Sequence, residues 1–181
     1  MFIQTEETPN PDALKFIIGA DISESPIHFS SKNDAKGAIL VLDLFKIEGV
    51  KAVFFGSDFI TITKDIDEKW EALKPHVIAA IMDHLTSGKH AMEGYLPFSE
   101  ERTQNYSDIE KQIIEIIETR VRPSVAMDGG DIVYKDFKDG IVYLELKGSC
   151  SGCPSSEVTL KNGIESMLQY YIPEVVSVEQ V

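Results

Sequence analysis

The chain has 181 residues, 43% of them hydrophobic, and a formal net charge of -13. That length suits one medium domain or two small ones, and a mean hydropathy of -0.07 fits a soluble protein with real cores. Both halves are acidic and neither carries a basic cluster, which argues against nucleic acid or an anionic membrane as partner. The longest apolar run, AILVLDLF, is broken by Asp43 and falls short of the roughly 18 residues that a membrane span needs.

The N-terminal stretch MFIQTEETPNPDALKF has neither the basic and apolar regions of a secretory signal nor an Arg/Ser-rich presequence, so a cytosolic setting is expected. FIQTE (2–6) reads as a strand and TPNPD (8–12) as a turn, since each proline fixes its own φ and restricts the residue before it. ALKFIIG (13–19) is a second strand. Residues 34–47, rich in Leu and Ile, read as a helix. VKAVFFGSDFITITK (50–64) is a hairpin around Gly56-Ser57-Asp58. A second helix is expected over 67–86, with Trp70, Leu73, Val77, Ile81 and Leu85 forming one buried face. Pro75 threatens a kink there, and Gly88 suits a C-terminal cap.

Residues 89–106 show no periodicity and read as an interdomain linker. SDIE (107–110) then opens a helix with a capping box, Ser107 with Glu110. Its apolar face is Ile109, Ile113, Ile116, Ile117 and Val121, and it is expected to end before Pro123. MDGGD (127–131) is a turn. IVYKDF and IVYLEL are two strands joined by the hairpin signal Lys138-Asp139-Gly140. After the loop GSCSGC, Pro154 suits the first position of a helix striped by Leu160, Ile164, Met167, Leu168 and Tyr171. EVVSVE (174–179) is a closing strand. The fold class expected is therefore α+β in two small domains, ββαββα-like over 1–88 and αββαβ over 107–181.

Cys150 and Cys153 are the chain's two cysteines, spaced C-x-x-C with a proline following. In a reducing compartment that spacing points to a metal or redox site more than to a structural staple. The second cysteine falls at or beside a helix N-terminus, whose partial positive charge favours thiolate. Gly152 allows a tight loop, and with nothing bulky in it the site is expected at the surface. Two thiolates are too few for an iron–sulfur cluster, which normally takes four, but a two-fold dimer supplies the second pair. A thiol–disulfide oxidoreductase also fits the spacing, although redox motifs usually follow the first strand of a βαβ unit and Ser151-Gly152 is an unusual intervening pair. Zinc needs four ligands, and His28, His76, His84 and His90 all lie in the first half, so zinc too calls for two chains. Two unliganded thiols are the remaining reading.

Other candidates read more plainly. Asp128-Gly129-Gly130-Asp131 is expected to be a turn whose acids bond the backbone. Arg122-Pro123 is expected to stop the helix, with Arg122 available to meet a cluster's negative charge. His84 and His90 read as surface residues. Phe54-Phe55 reads as strand core and edge, and exposure of either would mark a partner surface. Gly163, costly by about 1 kcal/mol in mid-helix, reads either as a close helix or dimer contact or as a glycine that is simply tolerated. No catalytic triad, phosphate loop or paired-carboxylate pattern stands out.

GSCSGCPSSEVTLKNGIESML (148–168), preceded by RPSVAMDGGDI (122–132), closely resembles the C-terminal domain of NifU and the Nfu-type iron–sulfur scaffolds. TPNPDALKF (8–16), GVKAVFFGSDFITITK (49–64) and the Trp70 helix resemble the Nfu N-terminal domain, so the likeness covers nearly the whole chain. The resemblance implies a scaffold or carrier, not an enzyme. It implies a labile [4Fe–4S] cluster, or a [2Fe–2S] one, held between two protomers with Cys150 and Cys153 as ligands. It further implies a homodimer when loaded, upstream assembly factors, and apo-protein recipients. Because the chain begins directly at the first domain, a bacterial cytoplasmic member is expected, or else a trimmed mitochondrial matrix protein.

Overall fold

The structure is a computed structural model that describes residues 2–35, 37–95, 106–151 and 154–181, without the side chains of 154–157. The chain divides into two compact units, Met1–Ser99 and Glu100–Val181.

The first unit is a five-stranded antiparallel sheet of β1 (Gln4–Glu7), β2 (Ala13–Ile17), β3 (Ile27–Phe29), β4 (Val50–Phe55) and β5 (Phe59–Lys64), in the order β1-β2-β5-β4-β3. Alternation sorts its residues. Leu14, Phe16, Val53, Phe55, Ile60 and Ile62 face a core shared with α1 (Ile39–Leu44) and α2 (Trp70–Thr86). Phe54 and Phe59 pair on the opposite face, where Lys15 lies over the Phe59 ring. Phe54 and Phe55 are thus 2% and 0% exposed, and neither is the edge residue or the exposed partner surface that the sequence left open. The TPNPD turn is locked by its own side chains: Thr8 donates to the carbonyls of Asn10 and Ala13, and the Asp12 N–H donates to Asn10 Oδ1. Trp70 Nε1 donates to the Pro11 carbonyl at 3.0 Å and fixes the start of α2 against that turn.

Several expectations change here. The three-residue β3 is an addition, so the unit runs βββαββα. The helix expected over 34–47 is confined to α1, because Asp34 accepts hydrogen bonds from Ser30 and Ser31 and holds a local turn that competes with helix. Pro75 does not break α2, whose Leu73, Val77 and Ile81 are anchored in the core. Gly88, at φ +78, follows the helix as expected. His84 is buried, not on the surface, with Nε2 2.8 Å from the His90 carbonyl. The segment read as linker begins inside this unit: Ala91 is buried, Tyr95 packs edge-on to Phe29, and the Ile39 N–H donates to the Glu93 carbonyl.

The second unit starts with α3 (Asp108–Ile116), capped by the expected reciprocal Ser107–Glu110 pair. Pro123 does not end it. The helix widens into a π turn over Ile117–Val121 and continues as α4 (Arg122–Met127). The physical reason is local. Proline has no N–H and its ring crowds the carbonyl four residues back, and a wider turn, with the Arg122 N–H bonded to the Ile117 carbonyl, relieves both. The sheet is β6 (Gly130–Lys138), β7 (Ile141–Gly148) and β8 (Ser177–Gln180), ordered β6-β7-β8. Asp139 and Gly140, at φ 53 and 81, make the two-residue turn between β6 and β7. The β7–β8 pairing is parallel, and α5 (Pro154–Tyr171) provides the crossover it requires. Ile113, Ile132, Val142, Leu144, Ile164 and Leu168 form the core. Tyr171 is 44% exposed, and Ile172 takes the core position assigned to it. Among the described residues no helix is long and apolar enough to cross a membrane.

Candidate functional site

Cys150 stands two residues beyond the end of β7. The antiparallel register brings Gly130 opposite Gly148, so the loop leaving β7 folds over the start of β6. Gly148 (φ 68) turns the chain, and the Ser151 N–H closes the turn onto the Gly148 carbonyl. Ser149 pins the loop to the Asp128–Gly129 turn by two bonds. Its N–H donates to the Gly129 carbonyl at 3.2 Å, and its hydroxyl donates to the Asp128 carbonyl. The Ser149 side chain is buried and its Oγ lies 3.9 Å from Cys150 Sγ.

The Cys150 side chain points inward. It is 5% exposed and belongs to the core of this unit. The surface position expected from the loop's small residues is therefore not where this thiol rests. Gly130 is its near wall: a Cβ built on Gly130 would lie 2.6 Å from Cys150 Sγ and 2.8 Å from the Lys147 carbonyl oxygen. Gly152 and Cys153 lie outside the described residues, and Pro154 opens α5 as expected. Among the described residues no group of three or more His, Cys, Asp or Glu side chains gathers to hold a metal.

Beside this wall sits a charged cluster that spacing alone did not indicate. Asp131, buried, accepts from Arg122 Nε at 2.7 Å and from Nη2 at 3.0 Å, and Arg122 Nη1 reaches both oxygens of Glu118. The hydrogen bond that Arg122 donates to Asp131 is the strongest influence on the guanidinium and holds it firmly cationic, with burial opposing and Glu118 reinforcing. So Asp131 pairs with a side chain and does not cap the backbone, and Arg122 is committed to two carboxylates.

The sequence comparisons bear on what such a loop is for. The model for the scaffold protein Nfu/NifU N-terminal domain matches residues 3–88, and the NifU-like domain model matches residues 113–179. The chain belongs to the Nfu/NifU family of iron–sulfur cluster scaffold proteins. It is 51% identical over its whole length to the human protein named NFU1 iron-sulfur cluster scaffold homolog, mitochondrial, and covers 72% of that protein. It is 50% identical to the Drosophila ananassae protein of the same name, of which it spans 64%. A solution structure of a NifU-like protein from Saccharomyces cerevisiae is 28% identical, with 51% of this chain and 85% of that one covered and a TM-score of 0.47. The family and the α+β class of both domains agree with the sequence reading. The bacterial cytoplasmic expectation finds no support, since these relatives are named as mitochondrial.

Proposed function

We propose that the second unit carries a labile [4Fe–4S] cluster as cargo between two copies of the chain, ligated by Cys150 and Cys153 of each, and passes it to apo-proteins. The observation that carries this is the placement of Cys150 in a hydrogen-bonded loop between β7 and α5, in a scaffold-family chain that has only one other cysteine. Four thiolates then require two chains, and an isologous interface supplies them symmetrically. Binding requires the Cys150 thiol to turn out of the core, so the loaded and unloaded loops differ at this side chain. Release is ligand exchange: an acceptor's thiolates replace those of the carrier one by one. No substrate bond is turned over, which makes this a carrier and not an enzyme. A thiol–disulfide oxidoreductase is disfavoured, because both domains match a scaffold family. The first unit recognises recipients or upstream donors, and the setting is mitochondrial, as the relatives' names suggest.

Anaerobic reconstitution tests this reading. About two irons and two sulfides per chain, in a dimer with [4Fe–4S] Mössbauer parameters, is the expected result. Cys150→Ala and Cys153→Ala should each abolish binding. A full cluster retained by either variant, or no iron with a reversible Cys150–Cys153 disulfide, overturns it.

A further inference from the structure

We infer that Gly130 is a positioning residue for Cys150: by lacking a side chain it leaves the berth in which the unloaded chain shelters that thiol. The proposal's purpose, protection of a ligand before loading, rests on the carrier reading, but its geometry stands apart from it. Gly130 opens β6 directly opposite Gly148, and the Cys150 side chain returns across that pair into the core. A Cβ at 2.6 Å from Sγ is closer than real Cβ atoms approach sulfur, and the side chain of cysteine is too short to bend away without rotating about χ1. Rotation takes the sulfur out of the space between Gly130 and the core. The loop itself cannot drift to make room, because Ser149 is bonded to the carbonyls of Asp128 and Gly129, on the same turn that carries Gly130. Berth and thiol are therefore set by one rigid turn, which Arg122 holds through Asp131.

The sheltered thiol is inert because burial blocks access to it. A thiol turned outward is open to alkylation and oxidation. The test uses the full chain, unloaded, with Cys153→Ser so that one thiol is read. Iodoacetamide should modify Cys150 at least about tenfold more slowly in the folded protein than in urea, and Gly130→Ala should remove most of that protection while far-UV circular dichroism is kept. A folded Gly130→Ala protein that is alkylated at the parent rate overturns the inference.

The same substitution also meets the Lys147 carbonyl oxygen, so loss of folding has to be traced to the right atom. A double-mutant cycle with Cys150→Ala does so. If sulfur is the obstacle, Gly130→Ala lowers the urea midpoint much less in the Cys150→Ala background. An equal drop in both backgrounds, or failure of both to fold, assigns the cost to the backbone and overturns the inference. None of these readouts involves iron, so the berth fails or stands independently of the carrier reading.

Discussion

Arg122 and Asp131 meet in a two-pronged ion pair, Nε to Oδ1 at 2.7 Å and Nη2 to Oδ2 at 3.0 Å, that ties α4 to the start of β6. The Asp131 side chain is 4% exposed and the Arg122 side chain 31%, so the two ends are not equivalent. Removing the arginine strands a carboxylate with little access to water, whereas removing the aspartate leaves a cation that still has Glu118 and solvent. Arg122→Ala should therefore cost about 3 kcal/mol, the lower end of the range for breaking a buried pair, and Asp131→Asn clearly less. Urea denaturation of the two variants measures the asymmetry. Equal losses would mean that the pair's geometry, not burial of the carboxylate, sets its contribution.

The capping box makes the second unit sensitive to acid. Glu110 is held below the ordinary carboxylate value by Ser107, first through its side chain and then through its backbone, and by the Tyr134 hydroxyl, with burial opposing. A carboxylate lowered in the folded state adds stability above its unfolded value and loses that contribution as pH falls through the folded value. Glu110 is only lightly buried, so solvent screening keeps the effect to about 1 kcal/mol, as for other caps. The gap in denaturation midpoint between parent and Glu110→Gln should be full at neutral pH and close between about pH 5 and pH 3. A gap that is constant with pH would remove the electrostatic account of this cap.

Much of this architecture is legible in the sequence, because long amphipathic segments, a capping box and a turn such as Asp139-Gly140 are local signals. Part of the rest is non-local. The register at the site is the clearest case. Pairing that starts at Lys138 with Ile141 and continues without interruption puts Asp131 opposite Gly148. The irregularity between Tyr134 and Asp136 shifts it by one, so Gly130 takes that place and Cys150 gains its berth. Nothing in the residues around Lys135 announces that shift. A glycine doublet entering one strand, with a glycine leaving its hairpin partner, was the available hint. The Arg122–Asp131 pair is hidden for a different, local reason, since Pro123 predicts a helix stop and a π turn carries the helix on. His84 was misplaced because its partner is a backbone carbonyl in a segment read as linker.

Two glycines of the second unit should respond to alanine with opposite signs. Gly140 has φ +81, and an added Cβ would meet Val176 Cγ2 at 2.7 Å, so Gly140→Ala should destabilise by about 2 kcal/mol. Gly163 is exposed in the interior of α5 with nothing within 4 Å of an added Cβ, which excludes a close helix contact among the described residues. Gly163→Ala should stabilise the unloaded chain by about 0.5–1 kcal/mol. The remaining sequence expectation, a contact with a second copy, is read separately: a variant that is more stable unloaded yet dimerises more weakly on cluster binding places Gly163 at the interface, and unchanged dimerisation removes it from there.

The role assigned to the first unit is tested by removing it. The break belongs after Tyr95 and not at residue 88, because Tyr95 packs on Phe29 and the Glu93 carbonyl binds the Ile39 N–H, so both belong to the first core. The second unit keeps a hydrophobic core of its own, with Ile113, Ile132 and Leu168 fully buried, and should fold without the first. If Cys150 and Cys153 hold the cluster, iron and sulfide per chain should be unchanged in the truncated protein. If the first unit recognises recipients, transfer to apo-acceptors should slow selectively, with the free energy of docking lost from encounter and not from ligand exchange. Release to a small dithiol, which needs no docking, is then the internal control and should keep its parent rate. Transfer that is unchanged to every acceptor tried would show that the acceptor reads the cluster loop directly, and would leave the first unit without the role given to it.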